Sequence, residues 1–351
     1  MTIKDLSKLL KQLGITPLDV GIENFPNTRI AIDTSNMMYK KLSAITRSQF
    51  EDVDISFHNI DKDALINPLI RAVIEHAIIF IRYGLTPVFV FDGRPPIEKL
   101  QFTSKKRSEL KNKKIEKMKE LEQKIQTERE EGLVSEETKE EYRKNFDIGL
   151  PLDIITTIRD LLIKLGIPTL QSKEEADPLC ASLVMEGRAF ASFSEDKDHM
   201  CHGCPRLLTE FKKGKGKLFM LSNILETLDL SFPSFIDMCI MMGSDYGDKI
   251  RLVGPMKSYN YMKEWKKLEN ANIDVSILNY ERIREIFKIK HSAELIDFDK
   301  SSKDLNACDP QSDCFDVFES YGMSDLVYQY INAKQNLPDE IGEYDEEYPT
   351  Y

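Results

Sequence analysis

Val88–Pro96, VFVFDGRPP, is a run of β-branched and aromatic residues that stops on an aspartate and continues at once into glycine, arginine and two prolines. Four apolar residues in succession, closed by turn formers, read as a strand buried on both faces. A carboxylate at the point where such a strand leaves the core is costly unless it has a task. Arg29–Ser35, RIAIDTS, repeats the pattern with Asp33 in the same place. Between the two, residues 64–83 carry helical periodicity and end at Gly84.

Outward from this pair the alternation continues. Ile3, Leu6, Leu9, Leu10 and Leu13 share a helical face that stops at Gly14. Ile154, Ile155, Ile158, Leu161, Leu162 and Leu165 share another, stopped by Gly166. The segments IPTL, AFASFS and KLFML read as further strands. Alternating strands and helices predict an α/β fold with a mostly parallel central sheet covered by helices on both faces. Ligands of such a sheet sit beyond the carboxyl ends of its strands.

Two intervals break the rhythm. Residues 99–119 hold nine Lys or Arg against two Glu, and residues 120–141 hold nine Glu against three basic residues. With few aliphatics and high helix propensity, this stretch is expected to be a solvated helical excursion. The closing stretch LPDEIGEYDEEYPTY is acidic and has little to bury, so disorder is expected there. The expected divisions are a first core part at 1–98, the charged excursion at 99–149 and a second core part at 150–270. A helical extension at 271–337 and the tail at 338–351 complete the chain.

The 351 residues, 41% of them hydrophobic, suffice for a substantial core. The formal net charge of −11 argues against a general nucleic-acid coat protein, but fields are screened over roughly 8 Å at physiological salt, so the local patch decides what binds. No signal-like stretch opens the chain, and the longest apolar run is interrupted by Arg71, Glu75 and His76, so no membrane span is expected. Six cysteines without a secretory signal suggest reduced thiols and an intracellular location.

The carboxylates fall in a pattern. Asp33 and Asp92 end strands; Glu175 and Asp177 stand at the first turn of the helix that follows IPTL. Asp196 and Asp198 follow the AFASFS strand, and Asp245 follows a helix that Gly243 terminates. In a doubly wound sheet all seven converge on one rim. Their mutual repulsion would raise their pKa values unless cations neutralised them. A set of hard oxygen donors favours Mg²⁺ or Mn²⁺ over Zn²⁺. Paired ions of this kind hydrolyse phosphodiesters. Setting the seven apart from the net charge of −11 leaves −4 on the rest of the chain. Any one of these acids taken alone reads more readily as a helix cap or turn former than as a ligand. Only the ordered series is specific.

That series, AIDTS, VFDGRPP, EEADPLCASLV, FSEDKD and GSDY followed by IRLVGP, resembles the flap endonuclease family of structure-specific 5′ nucleases over roughly residues 1–265. The resemblance implies a PIN-like nuclease core with a helical arch inserted at 99–149 and a helix–two-turn–helix at 234–266. It implies two Mg²⁺, replaceable by Mn²⁺, and branched DNA as substrate, bearing a 5′ flap, a nick or a gap. Asp92, Glu175 and Asp177 would bind one ion, with Asp33 near through water, and Asp196, Asp198 and Asp245 the other. Tyr39 matches an aromatic that stacks on a base beside the scissile bond; a tyrosine packed in the core is its plainer reading. Lys99 matches a lysine that reaches the scissile phosphate, and the arch arginine falls at Lys106 or Arg107. Gly254 and Lys257 lie in the segment that would hold duplex DNA, where free helix amides can face a phosphate.

The chain also departs from the family. Asp177 stands where relatives have Glu, Leu252 where they have Gly, and Lys249 where a small polar residue helps hold K⁺, so potassium dependence is in doubt. Thr2 and Asp5 replace glycines. No clamp-binding tail motif appears, and a monomer is expected. The missing tail and altered N-terminus resemble divergent viral versions, leaving a nucleus or a cytoplasmic replication site open. Two other readings compete: a branched-DNA scaffold without activity, and a HAD-like phosphohydrolase, which would need a second Asp where Ser35 and Arg94 stand. His199, Cys201, His202 and Cys204 of HMCHGC offer zinc ligands at crowded spacing. FKKGKGK is either a hairpin tip or a phosphate contact.

Overall fold

The strand expected at VFVFD runs Thr86–Phe91, and its neighbour RIAID runs Arg29–Asp33, paired with it in parallel from Arg29 opposite Thr86 to Asp33 opposite Val90. The computed structural model describes residues 3, 5–21, 24–25, 28–49, 63–145, 149–288, 295, 298, 313–335 and 337, with the backbone alone at 49, 63–64, 103–111, 143–145 and 313. Thr2, the acidic tail and the side chains of Lys106 and Arg107 lie outside the described residues.

Among the described residues one sheet is formed by Leu18–Gly21 (β1), Arg29–Asp33 (β2), Thr86–Phe91 (β3), Thr169–Gln171 (β4), Ala191–Phe193 (β5), Arg206–Lys212 (β6) and Lys215–Met220 (β7). Its order is β1-β7-β6-β5-β2-β3-β4. The five strands from β6 to β4 are parallel, while β7 pairs antiparallel with both β6 and β1. The mostly parallel sheet is therefore as expected, with an antiparallel edge that the alternation did not reveal. FKKGKGK is the β6–β7 hairpin: Lys213 (φ 53°) and Gly214 (φ 72°) take successive left-handed conformations, as a tight two-residue turn requires.

Helices cover both faces. They are Leu6–Gln12 (α1), Thr34–Gln49 (α2), Asp63–Arg82 (α3), Ile97–Glu130 (α4), Glu136–Asn145 (α5), Leu152–Lys164 (α6) and Ala176–Met185 (α7). Then come Asp198–Cys201 (α8), Leu221–Leu228 (α9), Phe232–Met242 (α10), Pro255–Trp265 (α11), Tyr280–Lys288 (α12), Asp313–Ser320 (α13) and Ser324–Lys334 (α14). Alternation along the strands sorts the core: Ile30, Ile32, Phe89 and Phe91 pack with α2, α3 and α6, whereas Ala31, Val88 and Val90 pack with α7. A separate apolar cluster joins α1 to α9–α12. The charged stretch forms α4 and α5, which share a small core of Leu121, Ile125, Val134 and Tyr142. No helix among the described residues is long and apolar enough to cross a membrane.

The chain visits β2, β3 and β4 on one side, then returns to lay β5 against the other flank of β2. That reversal opens a crevice at the carboxyl ends of β2 and β5. The helical extension is tied on by polar contacts. On α12, Arg284 donates from Nε to Oδ1 of buried Asp237 at 2.6 Å, and from Nη2 to Oδ2 at 2.5 Å. Arg284→Met leaves that carboxylate buried with, among the described residues, only the Leu268 amide as partner. It is expected to cost about 3 kcal/mol, read by urea unfolding. A loss below about 0.5 kcal/mol would show that the pair does not hold α12 in place.

Candidate active site

Beyond the ends of β2 and β5 the acids gather. Asp33 closes β2, and its two oxygens do different things. Oδ1 accepts from the Asn36 amide at 3.1 Å, capping α2, while Oδ2 accepts from Ser194 Oγ at 3.0 Å and faces into the crevice. Cap and crater acid are thus the same residue. Asp92, just past β3, accepts from the first amide of α7, Ala176, at 2.7 Å. It thereby caps the helix that carries Asp177. Asp196 accepts from the Asp198 amide at 3.0 Å, and Asp198 accepts from the Ile3 amide at 2.7 Å.

Glu175 is engaged by the Lys99 ammonium and by the Tyr246 hydroxyl, which donates at 2.7 Å. Lys99 also lies over the Tyr246 ring, 5.8 Å from its centre. Burial alone would lower the Lys99 ammonium; Glu175, Asp177 and Asp245 overcome it and raise the pKa. Asp245 joins the cluster through that field. Surrounding protein raises the Asp92 carboxyl, opposed by Ser35 and the Ala176 amide and reinforced by Asp177 and Glu175. Burial, then repulsion from Asp196, pushes Asp198 well up. Asp177 is raised by burial, relieved by His199 and reinforced by Asp33 and Asp196. These couplings link Asp33, Asp92, Glu175, Asp177, Asp196 and Asp198 in a chain of neighbours, and Asp245 is tied to them through Lys99.

His199 completes the site. It is fully buried, with Nε2 3.0 Å from Asp177 Oδ1 and 3.6 Å from Asp33 Oδ2. Burial opposes its protonation, but these carboxylates hold the imidazole well above the ordinary histidine range. One donor atom from each of Asp33, Asp177 and His199 lies within 4.8 Å of the others, a group able to hold a metal ion. The sequence reading weighed His199 only as a zinc ligand beside the cysteines. Those do not join it: Cys204 donates to the Arg206 carbonyl at 3.3 Å, and Cys201 faces Cys239. Tyr246 and Ser194 were missed too, although both stand one or two residues from a predicted acid.

The remaining candidates are spread along the surface. The Tyr39 side chain on α2 is 53% exposed, so it is not a core tyrosine. Gly254 precedes α11 with open space where a Cβ would stand, so neither its φ nor its packing demands glycine. Lys257 is exposed and donates to the Leu252 carbonyl at 3.1 Å. Leu252 itself is 82% exposed at a left-handed φ of 63°, and Asp5 likewise has φ 60°. Lys249 is exposed. A groove lined by Leu225, Asp229, Phe232 and Lys266 contains none of the seven acids.

Comparison with known proteins agrees with this geometry. Residues 1–114 match the XPG N-terminal domain and residues 166–245 the XPG I-region. Flap endonuclease 1 of Entamoeba dispar is 30% identical over 303 residues, covering 84% of this chain and 75% of that protein. Flap endonuclease 1 of Drosophila grimshawi is 31% identical over 329 residues, covering 89% and 78%. In fold, the chain is similar to flap endonuclease-1 from Methanococcus jannaschii, with a TM-score of 0.59, 20% identity and coverage of 93% and 99%. The catalytic core of Rad2 in complex with DNA substrate gives a TM-score of 0.56 at 20% identity, with 94% of each chain covered. Family models, relatives and fold agree: this chain belongs to the flap endonuclease family.

Proposed function

We propose that this nuclease hydrolyses a phosphodiester bond at the base of a 5′ single-stranded flap in branched DNA, in replication, repair or recombination. The observation that carries this reading is the gathering of carboxylates from separate segments around Asp177, beyond the carboxyl ends of the strands, with Lys99 on Glu175. Two divalent ions, Mg²⁺ or Mn²⁺, fit the donor set: Asp92, Glu175 and Asp177, with Asp33 behind, for one, and Asp196, Asp198 and Asp245 for the other. The raised carboxyls support it, since bound cations would offset both the burial and the mutual repulsion of the charged forms. Bound there, the ions would supply an activated water and stabilise charge on the leaving oxygen.

The chain's own side chains do the rest. Lys99 lies in the first turn of α4, where an incoming phosphate competes with Glu175 for its ammonium. The exposed Tyr39 ring offers a face on which any base can stack. The α11 amides behind Gly254, with Lys257, offer a phosphate site on the duplex. Helices α4 and α5 form the arch and cap beside the flap strand. A non-catalytic scaffold would have no reason to keep this repulsion.

Labelled flap, nicked, gapped and four-way substrates, digested with and without Mg²⁺, test the reading. Metal-dependent cleavage near the base of the 5′ flap is expected; tight binding of every substrate with cleavage of none would favour the scaffold. Lys99→Ala is expected to slow single-turnover cleavage about 10²–10³-fold, as loss of a preorganised donor does, with little change in affinity. A loss confined to affinity would remove Lys99 from the chemical step.

A further inference from the structure

One donor in the crater is not an oxygen. The His199 side chain has no exposed surface, its Nδ1 lies 2.9 Å from Ser192 Oγ, and its Nε2 lies 3.0 Å from Asp177 Oδ1 and 3.6 Å from Asp33 Oδ2. Building on the metal-nuclease reading above, we propose that His199 adds a nitrogen donor beside Asp33 and Asp177 to the first of the two ion positions, making it a mixed nitrogen–oxygen position that prefers a borderline first-row ion, Mn²⁺ or Co²⁺, over Mg²⁺.

Three features of the chain support this. First, the donors converge from different elements: Asp33 from the end of β2, Asp177 from α7 and His199 from α8. Second, Ser192 Oγ holds Nδ1, so Nε2 faces the carboxylates, and an ion entering between them would take the place of the Nε2 proton that they favour. A hydrogen bond to the distal nitrogen is how proteins fix the ring of a metal-binding histidine. Third, the Ser194 hydroxyl on Asp33 Oδ2 orients that ligand in the same way. Imidazole nitrogen discriminates where carboxylate does not. Mg²⁺ prefers hard oxygen and water, while later ions of the first row gain from nitrogen. A plain structural role, in which the imidazole only steadies Asp177, makes no such distinction among ions.

The test is calorimetric titration of the full chain with MgCl₂, MnCl₂ and CoCl₂ separately, comparing wild type with His199→Gln. Glutamine puts an amide oxygen near the place of Nε2. Its Mn²⁺ and Co²⁺ affinities are expected to fall at least about 10-fold, the lower end of what support of a metal ligand is worth, with Mg²⁺ affinity within about threefold. In parallel, pulsed EPR of wild type loaded with Mn²⁺ is expected to show coupling to one imidazole nitrogen, lost in His199→Gln. An unchanged Mn²⁺:Mg²⁺ affinity ratio, or no nitrogen coupling in wild type, overturns the proposal. If the variant does not fold, the wild-type spectrum decides alone. Wild type that binds none of the three ions would instead overturn the metal-nuclease reading itself.

Discussion

Asp177→Asn is expected to lower single-turnover flap cleavage by about 10³-fold or more. Loss of one metal-binding carboxylate removes on the order of 4 kcal/mol of charge stabilisation, and each 1.36 kcal/mol is tenfold in rate. Asp177 is the central acid: it faces His199, and its charge is felt at Asp92, Asp198 and Lys99. Asparagine keeps the size and one acceptor, so the fold is expected to persist. Affinity for the uncut flap, measured by anisotropy in Ca²⁺, should stay within about threefold or tighten, because one charge that repels phosphate has gone. A rate within about tenfold of wild type would take Asp177 out of the chemistry.

The second large effect is on folding. Gly93→Ala places a Cβ over the Ser172 carbonyl oxygen and 2.5 Å from the Lys173 carbonyl, both backbone atoms that cannot swing aside. The close approach is deliberate. Gly93 donates to the Glu174 carbonyl at 2.5 Å and Arg94 to the Lys173 carbonyl at 2.9 Å. These bonds clamp the end of β3 to the loop that precedes α7, and so hold Asp92 beside Glu175 and Asp177. The substitution is expected to cost more than about 4 kcal/mol, or to prevent soluble expression, and to do so with or without metal. Stability within about 1 kcal/mol of wild type would mean that the loop yields easily. The glycine of VFVFDGRPP thus answers to packing, and its aspartate to the site.

Much of this was legible because buried parallel strands leave a strong pattern. Ile30, Ile32, Phe89 and Phe91 face one layer of helices and Ala31, Val88 and Val90 the other, so β2 and β3 show as unbroken apolar runs. The antiparallel edge was harder. The side chains of Leu18 and Asp19 in β1 are both exposed, and Arg206, Leu207 and Leu208 at the start of β6 are all buried, so neither strand shows a strict alternation. The acids could be ordered along the chain, but their partners could not. His199 sits on a helix of a single turn, too short for periodicity to say where a side chain points. Its neighbours Cys201 and Cys204 suggested zinc by spacing alone, whereas burial sends them into the core.

The crater acids are expected to oppose folding until cations enter. Asp198 is buried and its carboxyl is held well above the ordinary range, first by burial and then by Asp196. A raised carboxyl binds its proton more tightly folded than unfolded, so its charge costs stability as pH climbs above about 4 towards the folded value, and the full cost applies above it. Buried His76, lowered to about 3 by burial among aromatic rings, acts in the opposite sense below about pH 6.5. Comparing wild type with Asp198→Asn cancels it. The measurement is therefore the difference in melting temperature between these two proteins from pH 5 to 8, in chelator and in Mg²⁺. In chelator the asparagine variant should melt higher, by a margin that does not shrink as pH rises, and in Mg²⁺ wild type should overtake it. A wild type that melts higher in chelator, or a difference that Mg²⁺ leaves untouched, would contradict the account.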